Sequence, residues 1–118
     1  MNILLQDGPV ALFFAFAIAH ALADFPFQGE YLARMKVRTQ AGNISEWVVA
    51  LTAHSLVHAG AVWIVSGSVI LGVAELCLHW IIDLGKGEGK FGYAMDQCFH
   101  LACKLIYVIL LSKGIVAL

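Results

Sequence analysis

The chain has 118 residues (12.8 kDa), of which 61% are hydrophobic and 13% charged, with a mean hydropathy of +0.85 and a formal net charge of −1. A soluble domain averages about half apolar and about a quarter charged residues, and a short chain keeps a large share of its surface in solvent. The surplus of apolar side chains therefore points to lipid, and the composition excludes a disordered chain, a collagen-like chain and, with so little net charge, a nucleic-acid-binding module.

Met1 to Gly8 contains no Lys or Arg and lacks the basic segment and cleavage site of a secretory signal, so the first apolar run is expected to be retained. That run is a predicted helix over 9–25, with Pro9 in its first turn. Pro26 has no N–H to donate and ends or kinks it. Residues 27–39 mix Phe27, Tyr31, Leu32 and Met35 with basic residues and predict a short interfacial helix. Gln40 to Ser45 is a polar turn, with Ser45 as the expected cap of a second helix over 46–66. Ser66-Gly67-Ser68 is a tight turn into a third helix over 68–84. Gly85, Gly87, Gly89 and Gly92 predict a flexible loop, and a fourth helix covers 93–112.

A membrane-crossing helix needs about 17–25 residues. The expected fold is therefore all-α: a single domain over 1–118, a four-transmembrane-helix up-down bundle with a short interfacial helix after helix 1. Arg34, Lys36 and Arg38 fall in the first loop and Lys86 and Lys90 in the third, which makes both loops cytoplasmic and both termini external. Trp47 and Tyr93 then belong to the inner aromatic belt, and Trp63 and Tyr107 to the outer one. Cys77, Cys98 and Cys103 lack metal-ribbon spacing and read as buried small hydrophobes. Ala11, Ala15, Ala19 and Ala23 form a small-residue stripe suited to close helix packing or a homo-oligomer.

The chemistry lies in the exceptions to the apolar pattern. Each of the five histidines has a His or an acid four residues away: His20 with Asp24, His54 with His58, His79 with Glu75 and Asp83, and His100 with Asp96. Residues at i and i+4 share one helix face. All four pairs can meet in the inner half of a bundle, where ionisable groups face a packed interior or a wet cavity. Imidazole and carboxylate together suit a divalent metal, zinc first and manganese or iron as alternatives, with two or more ions held between facing helices. His20, Asp24, His54, His58, His79, Asp83, Asp96 and His100 are the candidate ligands. Other roles compete for some of them: Asp24 and Asp96 could be helix caps, and the set could be a proton relay. Glu75 reads as an outer residue of the cluster or a partner of Lys104. Lys86 suits a phosphate group, or a solvated loop; Gln28 and Gln97 could steady ligands.

The segments H-A-L-A-D-F-P-F-Q at 20–28, H-W-I-I-D-L-G-K at 79–86 and D-Q-C-F-H at 96–100, with the His pair at 54 and 58, resemble a family of small bacterial and phage membrane proteins known only as a domain of unknown function. The resemblance spans almost the whole chain and implies a bacterial inner-membrane protein. It carries over His20, Asp24, Gln28, His54, His79, Asp83, Lys86, Asp96, Gln97 and His100; Pro26 departs from the pattern. The ligand set is also similar to that of all-helical zinc phospholipases C and P1-type nucleases, and to membrane-bound metal-dependent hydrolases; this is an analogy of donor types only.

The function expected from these readings is a membrane metal-dependent hydrolase of a phosphoester, such as a phosphorylated lipid, a lipid-linked phosphate or a small molecule. Metal would activate water, with Lys86, Gln28 and Gln97 as the supporting residues. The alternatives are a non-enzymatic metal- or proton-handling membrane protein and a phage membrane interaction protein.

Overall fold

Five helices carry the chain in a computed structural model that describes residues 6–116: α1 (Pro9–Asp24), α2 (Gly29–Met35), α3 (Ile44–Ser66), α4 (Val69–Gly87) and α5 (Tyr93–Ser112). Every regular element among the described residues is helical. The expectation for Met1 to Leu5 lies outside them.

Pro26 acts as its chemistry requires. α1 closes at Asp24, where Phe25 N–H donates to the Ala21 carbonyl, and the chain bends by 87° before α2 begins at Gly29. Gly29 has φ +71°, a left-handed conformation that glycine adopts without strain. α3 starts two residues earlier than expected, because Asn43 and not Ser45 is the cap: its Oδ1 accepts from Glu46 N–H at 2.8 Å. At the tight turn Gly67 takes φ 73° and Ser68 caps α4.

α4 runs three residues further than expected, so the predicted glycine-rich loop is shorter and Lys86 is helical. Gly85 permits this because Phe91 folds back against it, and a Cβ there would meet the Phe91 ring at 2.8 Å. The returning loop also joins the basic segment after α2. Arg38 donates to Glu88 through Nε at 2.8 Å and Nη2 at 2.9 Å. The two basic loops thus lie at one end of the bundle. In this exposed clasp the Arg38 guanidinium holds the Glu88 carboxyl below its ordinary range.

α1, α3, α4 and α5 pack in a ring in that order, with α2 folded onto α3. The tightest crossing is α3 on α4, where Gly72 leaves room for a Cβ only 3.1 Å from the Ala59 carbonyl oxygen and from Trp63 Cβ. One end of the interior is apolar, built from Leu12, Phe16, Val62, Leu71, Tyr107, Val108 and Leu111. The buried residues elsewhere are mostly polar, with Ala23, Ala50, Leu51 and Ala59 among them, and include all five histidines. Outward faces are the reverse: Val10, Phe14, Ile64, Ile70 and Ile81 are each more than 60% exposed. Exposed apolar faces of this extent are of the kind that pack against a partner or lipid.

Two helices, α3 and α5, are long and apolar enough to cross a membrane, not the four expected. α1 has 16 residues and meets the requirement only when joined to α2 across the bend. α4 has the length, but Glu75, Asp83 and Lys86 interrupt its apolar run. Two smaller expectations are also corrected. Tyr107 is buried and bonded to Glu75 rather than at an aromatic belt. Cys77 and Cys98 are exposed on outward faces rather than buried. Of the alanine stripe, Ala23 is buried and the other three are half-buried on α1.

Candidate metal centre

The four i, i+4 pairs converge. Asp24 reaches from the last turn of α1 toward α3, with Oδ1 3.0 Å from His58 Nε2 and 3.4 Å from His54 Nε2. Its Oδ2 lies 3.4 Å from His20 Nε2. Asp83 on α4 is a second hub: Oδ2 stands 3.3 Å from His54 Nε2 and 3.5 Å from His79 Nε2, and Oδ1 stands 3.1 Å from His100 Nε2. Asp96 Oδ1 lies 3.2 Å from His100 Nε2. The imidazoles are crowded, with the His58 and His79 rings stacked at 3.7 Å. All eight candidate ligands therefore meet in one buried centre. Asp24 and Asp96 cap no helix; Gln28 and Gly92 hold the N-cap positions of α2 and α5 without a side-chain capping bond.

Three groups bring ligand atoms within 4.8 Å of one another: Asp24, His54, His58 and His79; Glu75, His79 and His100; and Asp83, Asp96 and His100. In a tetrahedral zinc site with bonds near 2.0–2.1 Å, neighbouring donors stand about 3.3 Å apart. The observed separations of 3.0 to 3.5 Å match that edge. A sharper test comes from His79. Its Nδ1 faces Glu75 Oε1 at 3.3 Å, and Glu75 also accepts from Lys104 Nζ and from the Tyr107 hydroxyl. On the other side of the ring, His79 Nε2 stands 3.5 Å from Asp83 Oδ2. That Nε2 has no hydrogen-bond partner. An imidazole nitrogen beside a carboxylate is a donor set of the kind that divalent cations accept. A carboxylate behind a histidine is also the usual support of a metal ligand.

The supporting residues divide. Gln97 Nε2 donates to Asp24 Oδ2 at 3.0 Å and Asp96 Oδ2 at 3.1 Å, and Gln97 Oε1 is 3.1 Å from His20 Nε2, so one amide braces three candidate ligands. Gln28 instead donates to the Asp24 backbone carbonyl at 3.1 Å and touches no ligand side chain by this bond. Lys86 Nζ lies 3.4 Å from Asp96 Oδ2 and 4.9 Å from the centre of the Tyr93 ring. Glu75 pairs with Lys104, one of its two expected roles.

Sequence reasoning missed Lys36. It reads as a loop charge that sets orientation, yet its Nζ donates to Asp83 Oδ2 at 2.8 Å and lies 3.2 Å from His54 Nε2. The only local signal was negative: unlike Arg34, with Glu30 four residues before it, Lys36 has no acid three or four residues away. Lys36, Lys86, Gln28, Val37 and Asp83 line a cleft of about 410 Å³ that opens at the basic end of the bundle.

Residues 12–117 match the family described as Protein of unknown function (DUF3307). The chain belongs to the DUF3307 family. The matched DUF3307 region contains every residue of the centre and both lysines of the cleft. No curated protein and no solved structure matches the chain.

Proposed function

We propose that this DUF3307 chain is an integral membrane metal-dependent hydrolase acting on a phosphoester, a phosphorylated lipid or lipid-linked phosphate being the favoured class. The carrying observation is the position of Asp83. It is a hub of the histidine cluster and also lines the cleft that holds Lys36 and Lys86, so a reacting group in that cleft would lie against the cluster. His20, Asp24, His54, His58, His79, Asp83, Asp96 and His100 would hold one or more divalent ions, zinc first. When bound, such an ion supplies Lewis acidity toward a phosphoryl oxygen and lowers the pKa of water. The chain's own part is to hold the ligands, with Gln97 bracing Asp24 and Asp96, and to neutralise phosphate charge with Lys86.

A bilayer setting supports a lipid substrate. The bundle is 46 Å long, more than the roughly 30 Å of a hydrocarbon core. In this reading α3 and α5 cross a bacterial inner membrane, the bent α1–α2 pair forms a broken third span, and α4 packs among them. The basic end faces the cytoplasm and both termini face outward. The test is turnover of a chromogenic aryl phosphate and of phosphatidate in mixed micelles by the zinc-supplemented full chain. Asp83→Ala should reduce the rate at least about a hundredfold, as loss of a charge-stabilising group does. Zinc-independent turnover, or turnover that survives Asp83→Ala, would contradict the hydrolase reading.

One observation favours a second reading, a metal- or proton-handling protein. The Glu75, Lys104 and Tyr107 group extends the polar chain from His79 toward the apolar end of the bundle. Zinc or proton flux in proteoliposomes without phosphoester turnover would select it.

A further inference from the structure

Lys36 occupies the place of a cation in the cluster. It ends α2, and its side chain leaves the interfacial helix to lie only 12% exposed against Asp83. The two atoms that it bridges, Asp83 Oδ2 and His54 Nε2, are themselves 3.3 Å apart, close to one edge of a zinc tetrahedron. An ammonium has three donors and no acceptor. His54 Nε2 beside it also lies 3.4 Å from Asp24 Oδ1, so this imidazole nitrogen stands among one ammonium and two carboxylates.

A dication held by His54 and Asp83 and the Lys36 ammonium cannot share this point, since like charges repel strongly away from water. The ammonium is the group free to leave. It stands on a flexible four-carbon stem and already lines the cleft. The same cleft is lined by Lys86, whose side chain is 33% exposed and whose Nζ faces Asp96.

We propose that Lys36 is a built-in counter-cation for the metal-free centre, and that metal binding displaces it into the cleft, where it and Lys86 form a two-lysine site for a phosphate group. The proposal rests on the metal-centre reading and adds to it a coupling: the cleft gains its second phosphate-binding cation only when metal is in place. By linkage, phosphate would then tighten metal binding by the same factor.

The test uses the detergent-purified full chain with zinc and inorganic phosphate. In the wild type, modification of Lys36 by a water-soluble acylating reagent, read by mass spectrometry, should speed up several-fold on zinc saturation, with Lys113 as the unchanged reference. Lys36→Met removes the competitor and should raise zinc affinity about tenfold, while phosphate affinity of the zinc-loaded protein should fall about tenfold, the size of one charge-assisted hydrogen bond. Lys86→Met should weaken phosphate similarly and leave Lys36 release intact. Zinc binding with Lys36 still protected, or weaker zinc binding by Lys36→Met, overturns this proposal alone. If Lys36→Met does not fold, the wild-type labelling decides. Failure of the wild type to bind zinc removes the metal reading, and this inference with it.

Discussion

Glu75 and His79 stand one turn apart on α4, with Glu75 Oε1 3.3 Å from His79 Nδ1, and Glu75 in turn takes the Lys104 ammonium and the Tyr107 hydroxyl from α5. This polar knot ties two helices together next to the apolar core. Removing one partner from a buried ion pair strands a charge and costs about 3–5 kcal/mol, whereas replacing both by apolar or neutral groups is often near neutral. Lys104→Met should therefore lower the thermal midpoint in detergent sharply, and Glu75→Gln combined with Lys104→Met should recover most of the loss. Equal loss in the single and double variants would mean that the knot is not an isolated pair.

The α3–α4 crossing depends on the absence of one side chain. At Gly72 a Cβ already meets Ala59 O and Trp63 Cβ at 3.1 Å, while at Gly60 it meets nothing within 4 Å. Gly72→Leu should overpack the crossing at a cost of about 1–3 kcal/mol. Gly60→Ala should not destabilise the protein. Unfolding midpoints of the two variants decide whether the helices are this close.

Leu56 lies midway along α3 and is 53% exposed. In water a charge there would be harmless. In a bilayer, Asp at the centre of a spanning helix raises the insertion free energy by about 2.5–3.5 kcal/mol. Leu56→Asp should reduce membrane insertion of α3 in a translocation assay, and Ser45→Asp, at its polar end, should not. Equal insertion of both would place α3 outside the hydrocarbon core.

The Arg38–Glu88 clasp holds the segment after α2 against the end of α4. Because Arg38 depresses the Glu88 carboxyl, the clasp's contribution is complete above the ordinary Glu range and is lost as pH falls through the depressed folded value. Hydrogen exchange over residues 36–41 should be slow at neutral pH and accelerate only below that range. Glu88→Gln should show the fast rate throughout, with little change in global stability, as expected for an exposed pair.

Much of the centre was legible because helical periodicity places i and i+4 on one face, so each His pair marked its own side of a helix before any contact was known. The break at Pro26 and the turn at Gly67 followed from backbone chemistry in the same way. What escaped depended on contacts distant in sequence. Lys36 meets Asp83 47 residues away, and nothing local distinguishes it from an orienting loop charge. Lys86 is helical because α4 continues to Gly87 with Phe91 packed against Gly85, a contact that glycine spacing alone cannot show. Tyr107 resembled a belt residue until Glu75 on a neighbouring helix supplied its partner. The count of spans failed because α1 is only 16 residues long and because Glu75, Asp83 and Lys86 interrupt the apolar run of α4.

The central claim is that the buried His and Asp cluster is a metal centre. Elemental analysis of the full chain purified in detergent, without affinity metal, tests it most directly. The account predicts at least one zinc or similar divalent ion per chain, a lower thermal midpoint after chelation, and loss of the ion in Asp83→Ala. A metal-free chain that gains no stability from added zinc and loses none to chelator would contradict it.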